Sequence, residues 1–192
     1  LSQLRIARSK LLARGLEFNE EDEAPQDRLA LLDTYWTASV GLTMVNNTVS
    51  GLFLTRYLHL ALDLGDAGRI ARALAMELAF LTSDANNHPV RMPRILQKLR
   101  ELARKADVPY VRAFSALGAA MAALNEGEWA QCRHCAERAE ALFRRHCRGV
   151  AWELATVRVF GLWAAGYQGD YAPLPERMQT LLGDARTRSD QS

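Results

Sequence analysis

The chain has 192 residues, of which 49% are hydrophobic and 24% are charged, and its formal net charge is +2. These values are typical of a globular protein with a buried core. Because 24 basic residues nearly balance 22 acidic ones, the charge favours neither nucleic acid nor an anionic membrane as a partner. Three cysteines, an odd number, disfavour a disulfide framework and favour a reducing, cytoplasmic environment.

The two ends of the sequence lack the features of a free-standing domain. The chain begins at Leu1 within a helix-like pattern, and its last residues, TRSDQS, add no closing element. We expect neither a secretory leader nor a membrane span, because no long uncharged apolar run is present. The abundance of Arg, Ala and Leu favours a GC-rich bacterial source. We therefore expect a piece of a longer bacterial protein.

The first part of the chain is predicted to be separate from the rest. Apolar residues at helical spacing predict a first helix over residues 1–17. The next segment, NEEDEAPQD, is acidic and contains proline, which is typical of a solvated linker. We therefore divide the chain into a leading helix with an acidic linker, residues 1–26, and a helical-repeat domain, residues 27–188.

Helical periodicity continues through the rest of the chain, interrupted by glycine, proline or short polar clusters. Asp27 is expected to cap the second helix. No segment shows the alternation of a half-buried strand, so an all-α fold is predicted. The predicted helices cover residues 28–45, 51–64, 66–81, 93–106, 110–125, 129–146, 150–167 and 175–187.

A turn signature recurs three times between these helices, as Gly65-Asp66-Ala67, Gly127-Glu128-Trp129 and Gly169-Asp170-Tyr171. Glycine can end a helix in the left-handed conformation, and the acid beside it can start the next helix. The recurrence predicts a tetratricopeptide-like stack of about four helical hairpins, an α-solenoid. The unequal spacing of the three glycines indicates degenerate repeats, and a non-repeating helical bundle is the alternative.

The second signature predicts the details of one hairpin. Trp129 is expected to plug the turn, as Tyr171 would plug the third turn. Small Ala120 is placed where the two helices of the hairpin cross. Ala136 and Ala139 are expected to seat the second helix.

Two stretches carry a resemblance to a known family. DTYWTASVGLTMVNNTVSGLFLTRYLHLALDLGDAGRIARALAMELAFL and FRRHCRGVAWELATVRVFGLWAAGYQGD resemble the helical region C-terminal to the kinase domain of large bacterial serine/threonine protein kinases, many of which also carry a central ATPase module. The resemblance covers roughly residues 28–188, and its most specific pieces are GLTMV, RIARALA and CRGVAWEL. Those kinases usually have an acidic residue after the first piece, where this chain has Asn46. The resemblance implies a tetratricopeptide-like regulatory or scaffolding arm and brings no catalytic residues.

The sequence lacks the motifs that catalysis would require. It has neither a glycine-rich phosphate loop nor the aspartates of a kinase active site. A GxxxxGK[ST] loop, a GxSxG elbow and an HExxH pair are also missing. We therefore expect no enzymatic activity and no cofactor.

A cluster of cysteine and histidine residues raises the question of a metal or a nucleophile. Cys132, Cys135, His146 and Cys147 could in principle hold zinc. The pair Cys132 and Cys135 lies within a predicted helix, however, so we interpret both residues as small core hydrophobes and expect no metal site. A nucleophilic Cys147 would need a base nearby, and the adjacent His146 would point elsewhere on a helix. His59 is interpreted as a hydrogen-bonded core histidine.

Two further groups of residues are candidates for binding. The basic stripe Arg91, Arg94, Lys98 and Lys105 could contact nucleic acid, but the low net charge favours a solvated face. Tryptophans 36, 129, 152 and 163 are interpreted as core residues and turn plugs, and Trp163 is the best candidate for a ligand wall.

We interpret the chain as a non-catalytic interaction module of a bacterial signalling kinase that binds a protein segment or a neighbouring domain. The alternative is a small-molecule sensor with a pocket in the concave face. In a hairpin stack the first helix of each pair lines that face, which predicts an apolar partner-binding stripe. Core packing is the alternative role for these residues, which are Phe114, Leu117, Met121, Leu124, Val159 and Trp163.

Overall fold

The computed structural model describes residues 1–19, 25–82 and 89–189, and in these ranges it contains nine α-helices and no strand. This confirms the all-α prediction. The helices are α1 (Ser2–Arg14), α2 (Gln26–Leu42), α3 (Asn47–Leu64), α4 (Ala67–Thr82), α5 (Arg91–Lys105), α6 (Pro109–Glu126), α7 (Trp129–His146), α8 (Ala151–Tyr167) and α9 (Leu174–Ser189).

Each of these helices from α2 onward packs against the next one along the chain. In addition, α6 packs against α4 and α8, so these three helices form one row. Helices α5 and α7 pack against this row, and α9 packs against α8. The result is a helical stack, as predicted.

The three signature glycines adopt left-handed backbone conformations, with φ of 67° at Gly65, 79° at Gly127 and 76° at Gly169. Gly65 and Gly127 follow the last residues of α3 and α6 directly. Gly65 connects α3 to α4, whereas Gly127 connects α6 to α7 and Gly169 connects α8 to α9. The first turn therefore enters the α4–α6–α8 row and the other two leave it. This difference explains the unequal spacing of the glycines.

The acidic residues of the signature have different roles in the structure. Asp66 starts α4 as predicted, since its Oδ1 accepts a hydrogen bond from the backbone N–H of Arg69 at 2.7 Å. Glu128 precedes α7 without a side-chain cap bond. Asp170 instead accepts a 2.6 Å hydrogen bond from Arg133 on α7. Only the first acid is therefore a helix cap.

Two predicted helix starts are corrected by the structure. Helix α2 begins at Gln26 after Pro25, and Asp27 lies in the first turn without serving as the cap. Helix α3 begins at Asn47, not at residue 51, because the Asn46 side chain accepts a hydrogen bond from the N–H of Val49 at 3.1 Å. Asparagine caps helices as effectively as aspartate, so Asn46 has a structural role at this position.

The leading helix shares the core of the stack. Leu11 on α1 is fully buried, and α1 packs on α3. Arg8 of α1 also donates a 2.6 Å hydrogen bond to Glu77 of α4, a fully buried carboxylate that accepts a second bond from Arg91 at 3.0 Å. The acidic part of the predicted linker, residues 20–24, lies outside the described residues.

The predicted interior of the α6–α7 hairpin is confirmed. Ala120 is fully buried, and Ala136 and Ala139 are buried on α7. Trp129 stacks on Tyr167 with ring centroids 4.6 Å apart. Tyr171 does not plug the third turn, since 66% of its surface is exposed. Without a further helix beside α9, nothing in the described structure covers that ring.

Candidate binding surfaces

The predicted partner-binding stripe is divided between the core and the surface. Phe114 and Leu117 are fully buried and Met121 is 2% exposed, so these three residues are core and line no open face. Leu124 and Val159 are half-buried, and Trp163 is 52% exposed. The prediction is wrong for the first three because the side of α6 that carries them packs against neighbouring helices.

Exposed apolar side chains lie on both helices of the last hairpin. Trp163 and Tyr167 are one turn apart on α8, and Met178 and Leu182 are one turn apart on α9; each of the four is more than half exposed. We call these four residues the terminal apolar surface. Phe160 supports the Trp163 ring from one side, with centroids 5.3 Å apart. Exposed apolar side chains grouped on one hairpin are typical of a surface that another element covers.

Sequence reasoning identifies only Trp163 of these four residues. Periodicity places Tyr167 in a helix without a surface role, and it places Met178 and Leu182 among the apolar positions of the last helix. These residues are exposed because no described helix packs beyond α9. Periodicity alone does not show whether a helix face has a neighbour.

A second open surface is a groove between α5 and α7, with α6 as its floor. Its volume is about 810 Å³. The floor consists of small residues of α6, namely Ser115, Ala116 and Ala119, and Cys135 of α7 borders it. Four guanidinium groups surround it, and we call this the basic groove: Arg100 and Arg104 of α5, Arg112 of α6 and Arg138 of α7.

The charges in the basic groove are largely uncompensated. Arg112 pairs with Asp107, and Glu101, the only acid among the described residues that line the groove, accepts a hydrogen bond from Gln97. Arg100, Arg104 and Arg138 have no ion-pair partner among the residues that the structure describes. Burial raises the pKa of the Cys135 thiol, and the charges of Arg138 and Arg100 oppose that rise. The positive charges of Arg100 and Arg138 therefore both influence the sulfur atom of Cys135.

A buried polar network connects alternate helices of the stack. The Tyr110 hydroxyl accepts a 2.7 Å hydrogen bond from Nε of Arg72 and donates one of 3.2 Å to Glu153, which is 5% exposed. The Arg72 guanidinium also lies over the Trp36 ring, 4.7 Å from its centroid. The Trp36 ring in turn meets Trp152 edge to face. Helices α2, α4, α6 and α8 thus meet in one cluster.

The contacts of this cluster are those of a structural network that links helices, and they differ from those of a reactive site. Burial raises the pKa of the Tyr110 hydroxyl, and the nearby Arg72 charge opposes the rise. A hydroxyl that keeps its proton and is bonded on both sides offers no base or nucleophile. Its partners are satisfied, which is the usual condition of a buried polar group.

The fold does not bring the predicted cysteine and histidine cluster together. Cys132 is fully buried and Cys135 is 8% exposed, which confirms that they are small core hydrophobes. Cys135 and His146 are separated by eleven residues of one helix, which at the α-helical rise of 1.5 Å per residue is roughly 16 Å. In the described part of the chain, no three metal-ligating side chains lie close enough together to hold an ion. Burial raises the pKa of all three thiols, to about 11 for Cys132.

Two other predictions about polar residues need correction. Arg91 and Lys98 do not belong to a solvated stripe: Arg91 bonds to the buried Glu77, and Lys98 pairs with Glu17 at 2.7 Å. His59 is hydrogen-bonded, with Nδ1 3.2 Å from Asp63 Oδ2, but its side chain is 39% exposed and not in the core. Arg91 and Lys98 therefore join neighbouring elements, whereas His59 bonds to a residue of its own helix, α3.

No family model, curated protein or solved structure matches the chain. Within the described ranges, no helix is both long enough and apolar enough to cross a membrane. The two open surfaces are therefore the features from which a function can be argued.

Proposed function

We propose that this chain is a non-catalytic helical-repeat binding module that holds an apolar helical segment against its terminal apolar surface. The observation that carries the proposal is the exposure of Trp163 and Tyr167 on the same face of α8, at 52% and 65%. Trp and Tyr are the residues most enriched at the energetic centres of protein interfaces. On the family resemblance, the parent protein is a cytoplasmic bacterial serine/threonine kinase and the segment comes from a partner or a neighbouring domain.

A helix is the favoured occupant because the stack is itself built by adding helices. Helix α8 already packs on α6, α7 and α9. The remaining face presents side chains at i and i+4, a spacing that suits the ridges of another helix. Leaving such a surface in water costs roughly 25 cal/mol for each Å². A helix with an apolar stripe removes that cost.

The small-molecule sensor has less support. The Trp36, Tyr110 and Trp152 rings and the Arg72 side chain fill the space where α2, α4, α6 and α8 approach one another. A pocket there would require these buried contacts to separate. No specific observation favours a bound metabolite.

Site-specific photocrosslinking in the full-length parent protein tests the proposal. Benzoylphenylalanine would replace Tyr167 in one variant and Arg145, an exposed residue of α7, in a control. We expect an ultraviolet-dependent adduct to an apolar helical segment from position 167 only, and its loss when Trp163→Glu is added. Equal adducts from both positions, or an adduct at 167 that survives Trp163→Glu, would contradict the proposal.

A further inference from the structure

We propose that the basic groove binds an acidic peptide segment in which aliphatic residues alternate with carboxylates. This site is separate from the terminal apolar surface and does not depend on the function proposed for it. The groove lies between α5 and α7, which have no direct packing contact among the described residues. The gap between them leaves the floor of α6 open.

Charge complementarity defines the first requirement of the ligand. Arg100, Arg104 and Arg138 project from two helices toward one groove and have no acidic partner in the described structure. By contrast, arginines beside other helix contacts form ion pairs, as Arg8, Arg133 and Arg158 do. Guanidinium groups bind carboxylates through paired hydrogen bonds. The ligand that completes the groove therefore carries several carboxylates.

The floor of the groove defines the second requirement. Ala116 and Ala119 present only methyl groups, and the side of Leu96 borders them. This surface can receive aliphatic side chains but offers few hydrogen bonds. A peptide that alternates Glu with Leu would direct its carboxylates to one side and its aliphatic groups to the other.

The dimensions fit a short extended segment. Lining residues of α5 run from Leu96 to Arg104, a span of about 12 Å at the helical rise. An extended chain covers that distance with about four residues. The cavity volume of about 810 Å³ is within the range of sites that enclose small ligands, on the order of 300–1,000 Å³.

Nucleic acid fits the groove less well. None of its described lining residues is aromatic, so bases would find no stacking platform. The whole chain has a net charge of only +2, which gives little long-range attraction for a polyanion. The peptide is therefore the occupant that the lining favours.

Fluorescence anisotropy with a labelled decapeptide of alternating Glu and Leu tests this inference, at about 0.15 M salt. The test variant is Arg100→Glu/Arg138→Glu. The control is Arg5→Glu/Arg145→Glu, which makes the same charge change at exposed positions outside the groove. We expect the test variant to weaken binding by at least about tenfold, since it removes charged hydrogen bonds, and the control by less than about twofold.

Three results would overturn the inference. One is no binding of the peptide to the native protein. Another is an equal loss in both double variants, which would indicate non-specific attraction. The third is tighter binding of a labelled ten-nucleotide oligothymidine than of the peptide, which would assign the groove to nucleic acid. The variant Ala119→Asp adds a fourth such result. It should abolish binding while the helical circular dichroism spectrum stays unchanged, and retained binding would overturn the inference because the peptide would not occupy the floor of the groove.

Discussion

The Tyr110 hydroxyl lies between a cation and an anion: it accepts a hydrogen bond from Arg72 and donates one of 3.2 Å to Glu153. The buried hydroxyl of Tyr57, by contrast, has no hydrogen-bond partner in the described structure. We therefore expect the two hydroxyl groups to make opposite contributions to stability, although both tyrosines are largely buried and both lie near Arg72.

Replacing each tyrosine by phenylalanine tests this difference. Tyr110→Phe should lower the free energy of unfolding by about 1–3 kcal/mol, since it leaves Arg72 and Glu153 without their shared partner. Tyr57→Phe should change it little or raise it by up to about 1 kcal/mol, because it removes a buried group that gains no bond. Urea unfolding at neutral pH measures both values. Equal destabilisation by the two substitutions would contradict the assignment of the network.

Tyr57 also predicts a loss of stability in alkali. Burial raises the pKa of Tyr57 from 10.0 to about 12. Between these values the unfolded chain loses the tyrosine proton and the folded chain keeps it, so the unfolded state binds fewer protons and the free energy of unfolding falls as pH rises. Below pH 10 the hydroxyl is protonated in both states, so none of this stability has yet been lost. Urea unfolding at pH 9 to 11 should show a shallower fall for Tyr57→Phe than for the native protein; identical slopes would refute the prediction.

Gly118 lets three helices approach closely. A Cβ at this position would lie 2.7 Å from Cδ1 of Leu99 and 3.1 Å from Cδ1 of Leu78, and both leucines are fully buried. Gly118→Ala should therefore destabilise the protein by about 1–3 kcal/mol through overpacking, despite the better helix propensity of alanine.

Gly41 provides the matched control for this substitution. It lies in α2, where a Cβ added to it would meet no heavy atom within 4 Å. Gly41→Ala should stabilise the protein by up to about 1 kcal/mol. Thermal unfolding of the two variants should shift in opposite directions, and a parallel shift would show that Gly118 is not sterically required.

The divided stripe gives a further pair of variants. Met121→Glu places a carboxylate at a core position that is 2% exposed, whereas Trp163→Glu alters a residue that is 52% exposed. The first should unfold the protein or make it insoluble, since a buried unpaired charge costs several kcal/mol. The second should leave the melting temperature within about 2 °C. Circular dichroism melts compare them, and a folded Met121→Glu variant would place that residue outside the core.

Most of the helical organisation could be predicted from the sequence. Gly65, Gly127 and Gly169 identified turns correctly because a left-handed backbone favours glycine over other residues. The buried positions of Ala120 and Ala136 were also predicted, since small residues recur at helical spacing in α6 and α7. The same periodicity did not identify Phe114, Leu117 and Met121 as core residues of α6. Backbone conformation and apolar periodicity are local properties, because they depend on residues within a few helical turns of each other.

The sequence by itself therefore determined an all-α chain of helices and the glycine turns that join them, because backbone conformation and apolar periodicity are encoded locally. Only the tertiary structure decided which apolar faces are covered. Phe114 and Trp163 look alike in periodicity, yet neighbouring helices cover the side of α6 that carries Phe114, whereas Trp163 on α8 is 52% exposed. The basic groove likewise brings Arg100 and Arg138 together from two helices separated by α6. Such juxtapositions depend on long-range packing, which no local pattern specifies.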